Sequence, residues 1–176
     1  MKNRRLFFAL WPTEEVRAPL AAAAQAHAAL GRVIAARNLH VTAAFLGAVP
    51  EERVARVRES AQSVQKLTFG GNFMLHLERI EFWRRSHLLC LTAERTPPEL
   101  LSIVEGLRAG LLECGFELRD HETFRPHVTL VRDVARGPAA RVVAPVRWPV
   151  ESFVLVESKV GQRGSQYTVL DEWPLA

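Results

Sequence analysis

Only two cysteines, Cys90 and Cys114, occur in the 176 residues, and both sit among apolar neighbours. That excludes a disulfide framework and leads us to expect two buried thiols in a reducing compartment. Cysteines and histidines clustered at zinc-binding spacings are missing as well, so no metal site is expected. Long hydrophobic runs are absent. The apolar stretch Leu6 to Trp11 stops at Pro12 and two glutamates, too short for a membrane span or a secretion signal, and the expected location is the cytoplasm. The stretch Gly161-Gln162-Arg163-Gly164 lacks the Lys-Ser/Thr ending of a nucleotide-binding P-loop and reads as a turn. Charge of one sign is only modestly in excess: Lys and Arg number 23 against 19 Asp and Glu, a net charge of +4. Such a balance favours anionic partners without requiring one.

What is present is an ordinary folding composition, 48% hydrophobic and 24% charged, enough to bury a core without staples. Leu6 to Leu10 reads as a buried strand. Thr13, followed by Glu14 and Glu15, reads as the cap of an Ala-rich helix running to about Leu30, where Gly31 ends it. A strand over Leu39 to Leu46 closes at Gly47. Val54, Val57, Ala61 and Val64 mark one face of a helix. Phe73 to Ile80 alternates and pairs with His87 to Thr92. Thr96-Pro97-Pro98-Glu99 has the form of a capping box, opening a helix with Leu100, Val104, Leu107, Leu111 and Cys114 on one stripe, closed by Gly115. Strands near Phe153 to Glu157 and Tyr167 to Trp173 finish the chain. No linker divides it, and the expectation is one domain over residues 1–176 of the α+β class.

One short pattern occurs twice. His40-Val41-Thr42-Ala43-Ala44-Phe45-Leu46 is echoed by His127-Val128-Thr129-Leu130-Val131, half a chain later (127 − 40 = 87 residues), the trace a duplicated half-domain would leave. On a strand, residues two apart share a face. His40 therefore points with Thr42, and His127 with Thr129 and Val131, while Val41, Ala43, Val128 and Leu130 face the core. Two imidazoles and two hydroxyls converging on one cleft suit in-line phosphoryl transfer. One neutral histidine takes a proton from the attacking water and the other, protonated, donates to the leaving oxygen. A free imidazole titrates near about 6.5, so both forms exist at working pH. The threonine hydroxyls donate to phosphate oxygens where charge builds. A single His-x-Thr is a weak signal; two on apolar strands, half a chain apart, are specific.

Asn38 to Gly47 and Phe124 to Leu130 closely resemble the two signatures of the 2H phosphoesterases, in the branch of bacterial and archaeal RNA 2′,3′-cyclic phosphodiesterases, also called 2′-5′ RNA ligase-like proteins. Arg5 to Leu10, Glu157-Ser158 and Tyr167 to Trp173 look like that branch too. One departure is Ala43, where a larger aliphatic is usual. The resemblance implies a bilobal α+β fold with two pseudo-symmetric, interleaved antiparallel-sheet and helix lobes around a positively charged cleft. It implies an enzyme that opens 2′,3′-cyclic phosphate ends of RNA or nucleotides to 2′-phosphomonoesters; a protonated leaving oxygen needs no metal or cofactor, and a monomer is expected. By analogy His127 is the base and His40 the acid, although the near-symmetry of the two motifs leaves that direction open. Alternatives are 2′-5′ ligation, a non-catalytic module binding RNA ends, and an esterase for small cyclic phosphates.

Around the motifs, Arg125, stiffened by Pro126, and Arg132 are candidate RNA contacts, and Tyr167 is a candidate for base stacking. Phe8 reads as core; Trp11, Trp83, Trp148 and Trp173 read as core or edge packing. His27, His76, His87 and His121 lack a following threonine and read as surface or packed residues. Replacing either His40 or His127 with alanine is expected to lower turnover of a cyclic phosphodiester by at least about 100-fold with the fold intact, judged by steady-state rates beside circular dichroism.

Overall fold

The computed structural model describes residues 2–67, 71–118, 124–161 and 164–175. Among the described residues there are nine strands and three α-helices: β1 (Asn3–Leu10), α1 (Glu14–Gln25), β2 (Arg32–Val33), β3 (Val41–Pro50), α2 (Val54–Leu67), β4 (Phe73–Trp83), β5 (Leu88–Thr92), α3 (Pro98–Glu113), β6 (His127–Arg132), β7 (Arg141–Val150), β8 (Ser152–Gly161) and β9 (Gly164–Pro174). The strands lie in the order β7-β4-β5-β6-β3-β1-β8-β9, with β2 beside β6, and every pairing is antiparallel. The class is thus α+β.

The order is a palindrome of two four-stranded halves. β3 and β6 meet in the middle through one residue pair, Val41 with Val128. β1 and β5 flank them, with Leu10 opposite Val41 and Leu91 opposite Val128. β8 and β4 come next, and β9 and β7 form the edges. The helices cross over: α1, which leaves β1, packs on β6 and β7, whereas α3, which leaves β5, packs on β3 and α2. The apolar stripes account for this. Val16, Leu20 and Ala24 of α1, Val54, Val57, Ala61 and Val64 of α2, and Leu100, Ile103, Val104, Leu107 and Leu111 of α3 are all buried in one cluster with Val41 and Val128. Phe8, Trp148, Phe153 and Trp173 fill the same core.

Several sequence expectations shift at their edges. The first helix ends at Gln25, and its last turns become a short 3₁₀ turn at Ala28–Leu30 before Gly31. Neither threonine caps through its side chain: Thr13 stands at the cap position of α1 without such a bond, and α3 begins after Pro97, so Thr96 builds no capping box. Gly47 does not end β3. With φ of 73° it carries a bulge opposite Leu6, and the strand continues to Pro50. β7 was not anticipated, because Pro145 and Pro149 argue against a strand; β7 is an edge strand, where missing donors are tolerated. Part of the Gly161–Gly164 turn, and His121, lie outside the described residues.

Two further bulges shape the central strands. The pairing of β1 with β3 slips by one residue between Phe8–Ala44 and Ala9–Thr42, leaving Ala43 extra, and that of β5 with β6 slips between Leu89–Val131 and Cys90–Thr129, leaving Leu130 extra. Each bulge reverses the alternation. Val131 therefore does not share a face with His127 and Thr129; it is fully buried in the core beside Leu130, and Arg132 takes the exposed face instead.

β2 holds Arg132 in place by pairing with it, and Gly31 lets the backbones approach. A Cβ there would come within 2.4 Å of the Arg132 carbonyl oxygen. Gly31→Ala is therefore expected to destabilise the protein by about 1–3 kcal/mol through overpacking, read from the urea midpoint.

Candidate active site

Because β3 and β6 touch through a single pair, they diverge on either side of it, and a cavity opens over the junction. Its main arm, about 570 Å³, is lined by His40, Thr42, His127 and Thr129 together. The antiparallel sense of the Val41–Val128 pair sets Thr42 on the side of His127 and His40 on the side of Thr129. The four residues singled out by the repeated motif thus do converge.

The same backbone device orients both imidazoles. His40 Nδ1 lies 2.7 Å from the Asn38 carbonyl oxygen, and His127 Nδ1 lies 2.8 Å from that of Arg125, in each case two residues upstream. A carbonyl only accepts, so each Nδ1 carries the proton and each Nε2 is left to exchange one. At His40 the Thr42 hydroxyl is 3.0 Å from Nε2 and donates to its lone pair while the ring is neutral.

Beyond this, the two surroundings differ. His40 is set in aromatic side chains: Trp11 stacks on it at 5.7 Å, Phe7 lies at 5.0 Å, and Tyr167 meets it edge-on at 5.4 Å. Burial disfavours the imidazolium and outweighs the hydrogen bond to Asn38; with the charges of His127 and Arg132 adding to burial, His40 is pushed down to about 4. His127 is bordered by Trp83, with ring centroids 4.4 Å apart. Trp83 therefore borders the site and is not simply packing, while Trp11, packed at the edge of an apolar cluster as expected, also backs His40; the sequence hid both contacts because each tryptophan is distant in sequence from the histidine it touches. Beneath Thr129, and hydrogen-bonded to it, lies the fully buried Cys90 thiol, pushed up to about 12 by that burial and so held as an inert neutral group.

Charge around the junction is cationic. Arg5, Arg32, Arg37 and Arg132 line the main arm, and no carboxylate is among the described residues lining it, although Arg32 is tied to Asp133 at 2.9 Å. A second arm of about 730 Å³ shares Thr42, Phe45 and His127 with the first and adds Arg84, Arg85, Arg108 and Arg125. Of the candidate RNA contacts, Arg132 and Tyr167 line the main arm. Arg125 lines the second arm, where its Nη2 pairs with both oxygens of Glu81 at 3.0 and 3.1 Å. The sequence did not point to Phe45, which is 41% exposed between the two arms with the Arg5 guanidinium 4.9 Å from its ring centre. The bulge at Ala43 turns it there, as the bulge at Leu130 turns Arg132.

Among known proteins, the model of the 2′-5′ RNA ligase superfamily matches residues 12–162. This chain belongs to that superfamily. An Escherichia coli RNA 2′,3′-cyclic phosphodiesterase is 30% identical over 177 residues, covering 98% of this chain and 97% of the relative. A Thermus thermophilus protein of the same name is 32% identical over 180 residues, covering 97% and 90%. Among solved structures, E. coli LigT complexed with 3′-AMP superimposes with a TM-score of 0.85 at 28% identity, over 99% of both chains. The RNA 2′,3′-cyclic phosphodiesterase branch of the 2H phosphoesterases, indicated by the sequence resemblance, is therefore the one found, and the α+β architecture is shared with it. No helix among the described residues is long and apolar enough to cross a membrane.

The depressed His40 pKa has a stability consequence. The unfolded imidazole takes its proton near 6.5, the folded one only near 4. As pH falls through that window the unfolded chain binds the proton first, so the His40 contribution is present above about pH 6.5 and is lost towards pH 4. Urea midpoints measured from pH 7.5 to 4.5 should fall less steeply for His40→Gln than for the unaltered protein.

Proposed function

We propose that this chain hydrolyses 2′,3′-cyclic phosphate ends of RNA to 2′-phosphomonoesters with His40 and His127 as its proton-transfer groups. One observation carries the reading: two imidazoles, each with Nδ1 tied back to a backbone carbonyl, share one arginine-lined cavity with two threonine hydroxyls. Relatives matched over nine-tenths or more of their length and named for this activity support it.

The cyclic phosphate sits over the Val41–Val128 junction, with its non-bridging oxygens accepting from Thr42 and Thr129. Water attacks in line, opposite O3′. Nε2 of His127 removes the water's proton as the new P–O bond forms, and Nε2 of His40 gives its proton to O3′ as the P–O3′ bond breaks. His127 is assigned the base and His40 the acid by resemblance to the family. Burial keeps His40 largely neutral, but a phosphodiester anion against Nε2 favours the imidazolium, so substrate binding promotes uptake of the proton from solvent. Thr42 then turns from Nε2 to the phosphate. Both proton transfers are accounted for without a metal or cofactor. Arg132 and Arg125 contact the RNA backbone from the two arms, and Tyr167 offers an aromatic face to a base. All four central groups come from one chain, so a single copy is enough to form the site; the accompanying reading is a monomer, one domain of two interleaved lobes, acting in the cytoplasm.

The second arm favours one further reading. It adjoins His127 and Thr42, the side from which the nucleophile comes, and its arginines suit an RNA strand. A 5′-hydroxyl in place of water there gives 2′-5′ ligation, the same chemistry with another nucleophile.

Product analysis on a 2′,3′-cyclic phosphate oligonucleotide should give the 2′-phosphate, undiminished by a chelator; a 3′-phosphate product or loss of turnover in chelator overturns the proposal. The acid is identified by a substrate with sulfur at the leaving position, which departs without protonation. Such a substrate should restore turnover to His40→Ala by at least about tenfold relative to the oxygen substrate, and not to His127→Ala. Adding a 5′-hydroxyl oligonucleotide separates ligation from hydrolysis by product length.

A further inference from the structure

The two halves of the sheet differ at one position that their pseudo-symmetry exposes. Ala9 on β1 lies between Thr42 and Val154 of the flanking strands, and Cys90 on β5 lies correspondingly between Thr129 and Glu81. Beside the His40 motif the position holds a valine, buried in a small apolar cluster with Phe7 and Ala9. Beside the His127 motif it holds a carboxylate, with a side chain only 14% exposed.

Both Glu81 oxygens are occupied. Oε1 accepts from Arg79 Nε and from Arg125 Nη2, each at 3.0 Å, and Oε2 accepts from Arg125 Nη2 at 3.1 Å and from Trp83 Nε1 at 3.2 Å. Burial opposes the carboxylate's charge, but the hydrogen bonds from Arg125 and Trp83, with the charges of Arg125 and Arg79, outweigh it and hold the group below its ordinary range. Two of these partners border His127. The main-chain oxygen of Arg125 accepts from His127 Nδ1, and the Trp83 ring lies 4.4 Å from the imidazole. The Arg125 guanidinium in turn lies 6.0 Å from the Trp83 ring centre, closing the circuit.

We propose that Glu81 is a positioning residue for His127, fixing Arg125 and Trp83 so that the imidazole keeps its Nδ1–H tautomer and presents Nε2 to the cavity. The proposal rests on the catalytic role given to His127 above. An imidazole free to rotate, or to exchange tautomers, presents Nε2 with the wrong proton for part of the time. His40 needs no such carboxylate, since aromatic rings already confine it.

The test uses Glu81→Gln, which keeps the shape and removes the charge, with Glu81→Ala and Glu81→Asp beside it. On a 2′,3′-cyclic mononucleotide, too small to reach the outer arginines, kcat of the Gln and Ala variants should fall by about 10- to 100-fold, the cost of roughly 1 Å of misplacement, with KM little changed. Glu81→Asp, which keeps the charge, should recover part of the loss. In ¹⁵N spectra the His127 ring should shift from one neutral tautomer to a mixture, while His40 stays as it was. Unchanged kcat and His127 signals in Glu81→Ala overturn the proposal. So do changes that move His40, His127 and the melting temperature together, for those report a merely structural role. If the unaltered protein opens no cyclic phosphate, the functional reading falls, while the imidazole spectrum still decides whether Glu81 holds His127.

Discussion

One antiparallel contact, Val41 with Val128, is the constraint from which the rest of the site follows. It places two copies of the same three-residue motif across a local two-fold axis, and its shortness makes the site usable. A longer ladder would run β3 and β6 side by side and close the surface between them. A single pair lets the strands part and leaves a cavity whose floor is backbone and whose walls are the side chains flanking the pair. The valines face down into the helices, where burial is worth about 1.5–3 kcal/mol for each side chain. The histidines and threonines on alternate positions are thereby committed to the upper face.

Equal backbones do not give equal chemistry. Each imidazole is anchored through Nδ1 by the carbonyl two residues upstream, so the exchanging nitrogen is the same on both sides. The surroundings then part company. Around His40 they are aromatic and enclosing, and that burial favours the neutral ring. Around His127 they include a tryptophan and an ion-paired arginine. The repeated motif supplies two similar groups, and the residues around them make the two sites unlike.

The four central residues were legible because strand alternation has a period of two and His-x-Thr fits it. The buried stripes of α2 and α3 were legible for the corresponding reason at helical period. What failed did so for identifiable causes. Ala43-Ala44 and Leu130-Val131 are consecutive apolar pairs inside strands that otherwise alternate; read without a bulge, they put Val131 on the wrong face and hide Phe45. Prolines in β7 obscured a strand that tolerates them only because it lies at an edge. Glu81, Trp83 and Trp11 carry no motif. Glu81 stands 44 residues from Arg125, and only the pairing of β4 with β5 and β6 brings them together. The cap of α3 was misplaced by one residue because Pro97 supplies the extended backbone that Thr96 was expected to give.

The place of β1 in the sheet bears on how the chain is made. It precedes every other described strand in the chain, yet it sits between β3 and β8, and Arg5 meets Ser158 across that second border. Until β8, about 140 residues downstream, is available, one side of a strongly apolar strand has its backbone donors and acceptors unpaired. Such late, long-range closure slows folding and exposes a template for wrong pairing. The basic run Lys2 to Arg5 lies at the end of this border and disfavours stacking of one nascent chain on another.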